Sequence, residues 1–295
     1  MIRGIDRYLD DFREELKGRD RALIQDALSD AEDHLTTGFQ VERREHPELS
    51  EEDALRSVIE SYGAPEEVAE HYRRVEEYTV PALESQGSGA RGRSGFRGFV
   101  GIVAEPSAWA AFLYMMISLA TGILYFTWTV TGISLSVSLL ILIVGVPIAW
   151  LFFLSFRGLA LVEGRIVEAL LGVRMPRRAV FIRKGEGWWG SLKGVFSARS
   201  TWSSIVYLVL MLPLGVLYFS VFITLIALAL SFIGSPVLEL VFHKPVIDWP
   251  NAWWIPGWLY PVVVAAGGTL FLGALHLARG VGRLHGRLAR AMLVN

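Results

Sequence analysis

The sequence predicts an all-α protein, a small cytoplasmic helical bundle followed by a four-span transmembrane helical bundle built from two parallel two-span repeats. Three observations carry that expectation. Charge divides sharply: residues 1–78 hold 22 Asp/Glu and 11 Lys/Arg, a balance of −11, and residues 79–295 hold 7 acids and 17 bases, a balance of +10. Two parts in two environments follow from such asymmetry. Apolar residues make up 53% of the chain and mean hydropathy is +0.42, with long uncharged runs after residue 106. Where charges are dense, apolar residues recur at helical spacing. The chain contains no cysteine, which removes disulfides, thiolate metal sites and thiol nucleophiles.

The first 78 residues divide into four helices. Ile5, Leu9, Phe12 and Leu16 form one apolar stripe, stopped near Gly18. A second helix runs from about Ala22 into the Glu42–Glu45 region, with Leu23, Ile24, Leu28, Ala31 and Leu35 inward. Ser50 starts a third, with Glu51, Glu52 and Asp53 at its positive dipole end and Gly63 beyond its last turn. Pro65 opens a fourth at the first helical position, followed by Glu66 and Glu67. A bundle this small has a thin core and gains from docking. His34, His46 and His71 lack metal-ligand spacing and read as surface residues, and no metal or cofactor is expected. A −11 surface repels phosphate backbones, so direct nucleic-acid binding is not expected. Residues 79–95, rich in Gly and Ser, read as a flexible linker.

The remainder, 96–295, reads as a membrane domain. Met1 leads into Arg3, Asp6, Arg7 and Asp10 without an apolar core, so no cleavable signal peptide is expected and insertion relies on internal spans. These are expected at about 109–130, 135–156, 202–233 and 258–277, each long enough for about 30 Å of hydrocarbon, with Thr131–Ser134 separating the first two. Of the 17 bases after residue 78, only Lys244 lies outside the stretch before the first span, the 157–199 segment and the C-terminal tail. That distribution predicts a multi-pass protein of the plasma (inner) membrane with both termini cytoplasmic.

A shift of 93 residues lays the first span on the third: Trp109 on Trp202, Tyr114 on Tyr207, Gly122 on Gly215, and Leu124-Tyr125-Phe126 on Leu217-Tyr218-Phe219. A shift of 122 lays Arg157-Gly158 on Arg279-Gly280 and Gly164-Arg165 on Gly286-Arg287. Repeat units of about 96–171 and 189–293 follow, related by a pseudo-two-fold axis along the membrane normal. Within them, Phe96–Glu105 and Gly187–Arg199 read as equivalent helices lying in the inner interface. Ala160/Gly164 and Gly282/Gly286 would let the two tails pack closely.

Ligand contacts are expected at Tyr125, Trp128 and Tyr218 in the spans. Trp249, Trp253 and Trp254 join them in the outer loop, Gly234–Gly257, which serves either as a lid or as an aromatic anchor at the lipid headgroups. Contacts with a partner, or with the chain's own tails, are expected at Glu66 and Glu67 against Arg165 and Arg287. The basic tails otherwise face anionic membrane lipids. No catalytic residues are expected, since His243 and Asp248 have no nucleophile or metal cluster beside them.

Two resemblances add to this reading. Tyr8-Leu9, Glu32, His34, Ser50-Glu51-Glu52 and Gly63–Ala69 make the N-terminal part similar to the HAAS signalling domain of bacterial membrane proteins. Gly122–Phe126, Gly145-Val146-Pro147, Glu163-Gly164-Arg165, Leu170-Leu171-Gly172, Thr201-Trp202 and Leu212–Gly215 make the membrane part resemble the sensor domain that precedes histidine kinases in actinobacteria. This chain reaches Asn295 without kinase motifs, so no phosphotransfer is expected of it. The resemblance implies a non-enzymatic membrane sensor or regulator with output through the HAAS-like domain, a separately encoded PadR-type transcriptional regulator being one candidate partner and a homo-oligomer being left open. The alternative is a transporter or an accessory subunit of one. Against it stands the lack of Asp, Glu, Lys or Arg inside the four expected spans.

Overall fold

A computed structural model describes residues 2–78, 96–139, 145–176, 199–243 and 254–294. Among these every element is helical, and four helices are long and apolar enough to cross a membrane.

Helices α1 (Ile2–Glu15), α2 (Arg21–Glu45), α3 (Glu51–Tyr62) and α4 (Pro65–Tyr78) form the N-terminal bundle. Their ends are set by side chains that satisfy the first free N–H groups. Asp20 accepts from Ala22 N at 2.8 Å to start α2, and Ser50 accepts from Asp53 N at 3.1 Å to start α3. Gly18 and Gly63 adopt positive φ (86° and 108°) where α1 and α3 end, a backbone state that glycine enters without a Cβ penalty. The core is Ile5, Tyr8, Phe12, Leu16, Ala31, Leu35, Phe39 and Val58 with their neighbours. Tyr8 donates to Gly63 O at 2.9 Å, tying α1 to the α3–α4 corner. Burial pushes the Tyr8 hydroxyl's pKa well up, and it raises that of Tyr62.

A short helix α5 (Phe96–Gly101) and a 3₁₀ turn (Ile102–Ala104) lead into α6 (Pro106–Leu139). Ile102 is buried against Ala108 and Leu275, whereas Val100 and Val103 stay exposed. The long helices continue as α7 (Gly145–Leu171), α8 (Arg199–Phe242) and α9 (Tyr260–Leu293). The most extensive packing is α6 on α8, followed by α8 on α9 and α6 on α7.

The helices overrun the expected spans. No break falls at Thr131–Ser134, because α6 carries on to Leu139. Gly132 fits there under the Phe152 ring, and the Ser138 hydroxyl bonds back to Ser134 O at 2.8 Å. Helix α7 does not stop at Phe156 but runs through Arg157, Glu163 and Arg165 to Leu171. Helix α8 passes Gly234 and Pro236 to Phe242, so the first part of the expected outer loop is helical. Its 44 residues extend about 66 Å at 1.5 Å per residue.

The linker, the stretch 177–198 that holds most of the expected Gly187–Arg199 helix, and residues 244–253 lie outside the described residues.

Candidate functional site

Where α6 and α8 cross, each presents a glycine to the other's backbone. A Cβ on Gly122 would stand 2.5 Å from Met211 O, and one on Gly215 would stand 2.3 Å from Ser118 O. Ser118 and Met211 are themselves related by the 93-residue shift. Only glycine permits this approach, and it brings the tyrosines on both sides of the crossing into one space.

That space is filled by a polar cluster from all four long helices. Tyr114 of α6 donates to Glu163 Oε1 of α7 at 2.6 Å and lies 2.6 Å from Nε2 of His285 on α9. Tyr207 of α8 makes the matching pair of contacts, 3.2 Å to Glu163 Oε1 and 2.9 Å to His285 Nε2. Tyr125 donates to Glu163 Oε2 at 3.0 Å, and the Tyr218 hydroxyl lies 3.2 Å from His285 Nδ1. Glu163 and His285 are 0% and 1% exposed, so water does not reach either side chain. Met115, Phe153, Phe156, Leu208 and Met211 build the apolar wall around them. A buried carboxyl surrounded by hydroxyl donors is satisfied in its hydrogen bonds, while its charge remains in a medium of low dielectric.

The cluster follows the sequence correspondence closely. Tyr114 and Tyr207, and Tyr125 and Tyr218, are 93 residues apart, and Glu163 and His285 are 122 apart. Each half contributes one ionisable group and two hydroxyls, and the two halves meet through Tyr114 and Tyr207.

Of the expected ligand contacts, the structure brings Tyr125 and Tyr218 together here. Trp128 stands apart, 45% exposed, donating to Ser155 Oγ at 2.8 Å. Trp254 is exposed beside the segment that Glu239 holds by accepting from Ile255 N at 2.8 Å and Tyr260 Oη at 2.9 Å. Trp249 and Trp253, like Asp248, lie outside the described residues. Among the expected partner contacts, Glu66, Glu67 and Arg287 are exposed, and Arg165 pairs with Glu168 one turn along its own helix. The small-residue positions do not face one another, but Gly282 and Gly286 of the second tail meet the end of the first. Gly282 faces Ala111 and Leu171, Gly286 faces Val173, and Gly164 faces Met175, so the chain leaving α7 lies across them.

The sequence reading passes over Tyr114, Tyr207, Glu163 and His285 as a site. The signal that finds them is the repeat itself: four tyrosines at equivalent positions in apolar runs, with an acid matched to a base. The expected spans hold no charged residue, but α7 continues past its span and carries Glu163, buried in the bundle.

The N-terminal bundle meets the end of α9. Arg290 forms an ion pair with Asp20, the residue that caps α2. Ala22 is fully buried and belongs to the same apolar core as Ala289 and Val294. His285 and Ala289 are four residues apart on α9, so one helix face touches both the polar cluster and the N-terminal bundle.

Four apolar helices of spanning length around a buried polar cluster define a multi-span membrane protein with an internal polar site. The family follows from sequence comparison: the model of the Sensor family, described as "Putative sensor", matches residues 114–293, well over half of the chain, and the chain belongs to that family. No curated protein and no solved structure matches it.

Proposed function

We propose that the protein is a non-enzymatic membrane sensor whose four-helix domain registers a stimulus and whose N-terminal bundle passes it to a cytoplasmic partner. The observation that carries this reading is the shared face of α9, with His285 in the buried cluster and Ala289 and Arg290 on Ala22 and Asp20. A displacement of α9 changes both ends together, because a packed helix moves as a rigid element. Family membership supports sensing, and the distribution of Lys/Arg supports cytoplasmic termini. Through its resemblance to HAAS domains the N-terminal bundle is the output module, with a PadR-type regulator as a candidate partner.

The test is a charge swap in lipid nanodiscs. Asp20→Arg or Arg290→Asp alone should speed hydrogen exchange at the start of α2 and the end of α9, and the double swap should restore protection. Equal protection in all four proteins would remove the contact as a relay.

Transport is the second reading, and Glu163 and His285 are what favour it, since ionisable groups within spans mark ion pathways. Proton or solute flux in proteoliposomes discriminates the two, as do the neighbouring genes: a regulator gene supports sensing and an ABC ATPase gene supports transport.

A further inference from the structure

We infer that the tyrosine–glutamate–histidine cluster is a binding site for a single exchangeable proton, held between Glu163 and His285 and bridged by the hydroxyls of Tyr114 and Tyr207. The inventory of hydrogens leads there. Tyr114 has one hydroxyl hydrogen and lies 2.6 Å from both Glu163 Oε1 and His285 Nε2, so it donates to one and accepts from the other. Tyr207 touches the same two atoms under the same constraint. With a bare carboxylate and a hydrogen on Nε2, both tyrosines donate to Glu163 and accept from the ring, while Tyr218 donates to Nδ1. Every donor then has an acceptor, but the cluster carries one negative charge in a dry core.

One proton taken from water makes the cluster neutral, and two arrangements hold it with Glu163, His285, Tyr114 and Tyr207 all partnered, the half-buried Tyr218 hydroxyl giving up its acceptor in both. On Nδ1, it turns Tyr218 from donor to acceptor and leaves an imidazolium facing the carboxylate. On Glu163, it reverses the chain, so that the carboxyl donates to Tyr114, Tyr114 donates to Nε2, and Nδ1–H donates to Tyr218. The groups that face the pair from α6 and α8 are the four tyrosine hydroxyls, and Val173 and Met175, which lie against the neighbouring glycines, are apolar. Of the guanidiniums on the same helices, Arg157 contacts Thr201, Arg165 Glu168, Arg279 Glu105 and Arg290 Asp20, while Arg283 and Arg287 are exposed. A proton is therefore the cation that fits, since the cluster is packed and its hydroxyls are already committed.

A second observation extends the polar site along α6. Thr129 and Ser136, four and eleven residues beyond Tyr125 on the buried face of α6, have buried hydroxyls with no hydrogen-bond partner. They extend the line of buried polar groups from Tyr125 toward the end of α6 remote from the N-terminal bundle.

That the proton acts as a signal rests on the sensor reading, whereas its binding does not. The test uses the full-length protein in nanodiscs, with 15N-labelled histidine, titrated from about pH 4 to about pH 9. The His285 ring signals, assigned by their loss in His285→Gln, should move in a single one-proton step. Glu163→Gln should abolish that step or displace it by about one pH unit or more. Tyr218→Phe, which leaves every Glu163 partner in place, should displace it as well. Ring signals that stay fixed across the range, together with a Glu163 carboxyl infrared band that does not change, would overturn the proposal. A clear step with no change in the Asp20–Arg290 contact would uphold the proton site and count against the relay alone.

Discussion

At the residue scale, two glycines decide how near α6 and α8 come. A methyl group on Gly122 or Gly215 meets a backbone carbonyl that cannot swing aside, and overpacking of this kind costs about 1–3 kcal/mol. Gly122→Ala and Gly215→Ala should therefore lower stability by similar amounts in detergent unfolding. Gly158 and Gly280 face open space, and alanine at either should be neutral or stabilising by up to about 1 kcal/mol. Equal effects at all four positions would contradict a glycine-set crossing. Tyr125→Phe removes one of the donors to Glu163 and should cost about 1–3 kcal/mol. In the N-terminal bundle, burial raises the Tyr8 hydroxyl above its ordinary pKa of 10.0. The folded state thus holds that proton more tightly than the unfolded chain does. Its contribution is complete below pH 10 and declines as pH rises further. Tyr8→Phe should flatten that alkaline loss, measured by thermal unfolding above and below pH 10.

At the scale of elements, Asp20 serves two helices at once: Oδ1 caps α2 while Oδ2 meets Arg290 of α9. The two roles separate by substitution. Asp20→Asn keeps a good capping side chain and removes the charge, whereas Asp20→Ala removes both, at a cost to α2 of about 1 kcal/mol. The contact with α9 should weaken in both variants and with added salt. The four N-terminal helices are legible in sequence because Ser50, Gly63 and Pro65 each act within a turn of the end they define. The ends of the long helices are not. Thr131, Gly132 and Ser134 look like a loop, yet Phe152 and Phe156 fill the space beside Gly132 and the helix continues. Glu163 escapes notice because an acid after an apolar run looks like the start of a solvated tail. Tyr114 and Tyr125 of α6 and Tyr207 of α8 close over it.

At the scale of the whole molecule, what joins the halves is a correspondence in sequence that becomes a correspondence in contacts. Tyr125 and Tyr218 are legible as site residues from their aromatic character inside apolar runs. Their purpose is not, because it depends on Glu163 and His285 arriving from helices 38 and 67 residues further along the chain. The central claim is that the state of this cluster reaches the N-terminal bundle through α9. The absence of native cysteine allows a direct measurement by double electron–electron resonance in nanodiscs. Spin labels go on single cysteines at Gln40 of the N-terminal bundle and Leu113 of α6, both exposed. One narrow distance is predicted for the parent protein, and a shifted or broadened distribution for the same pair combined with Glu163→Gln or Tyr218→Phe. An identical distribution in all three, with each protein folded, would contradict the account.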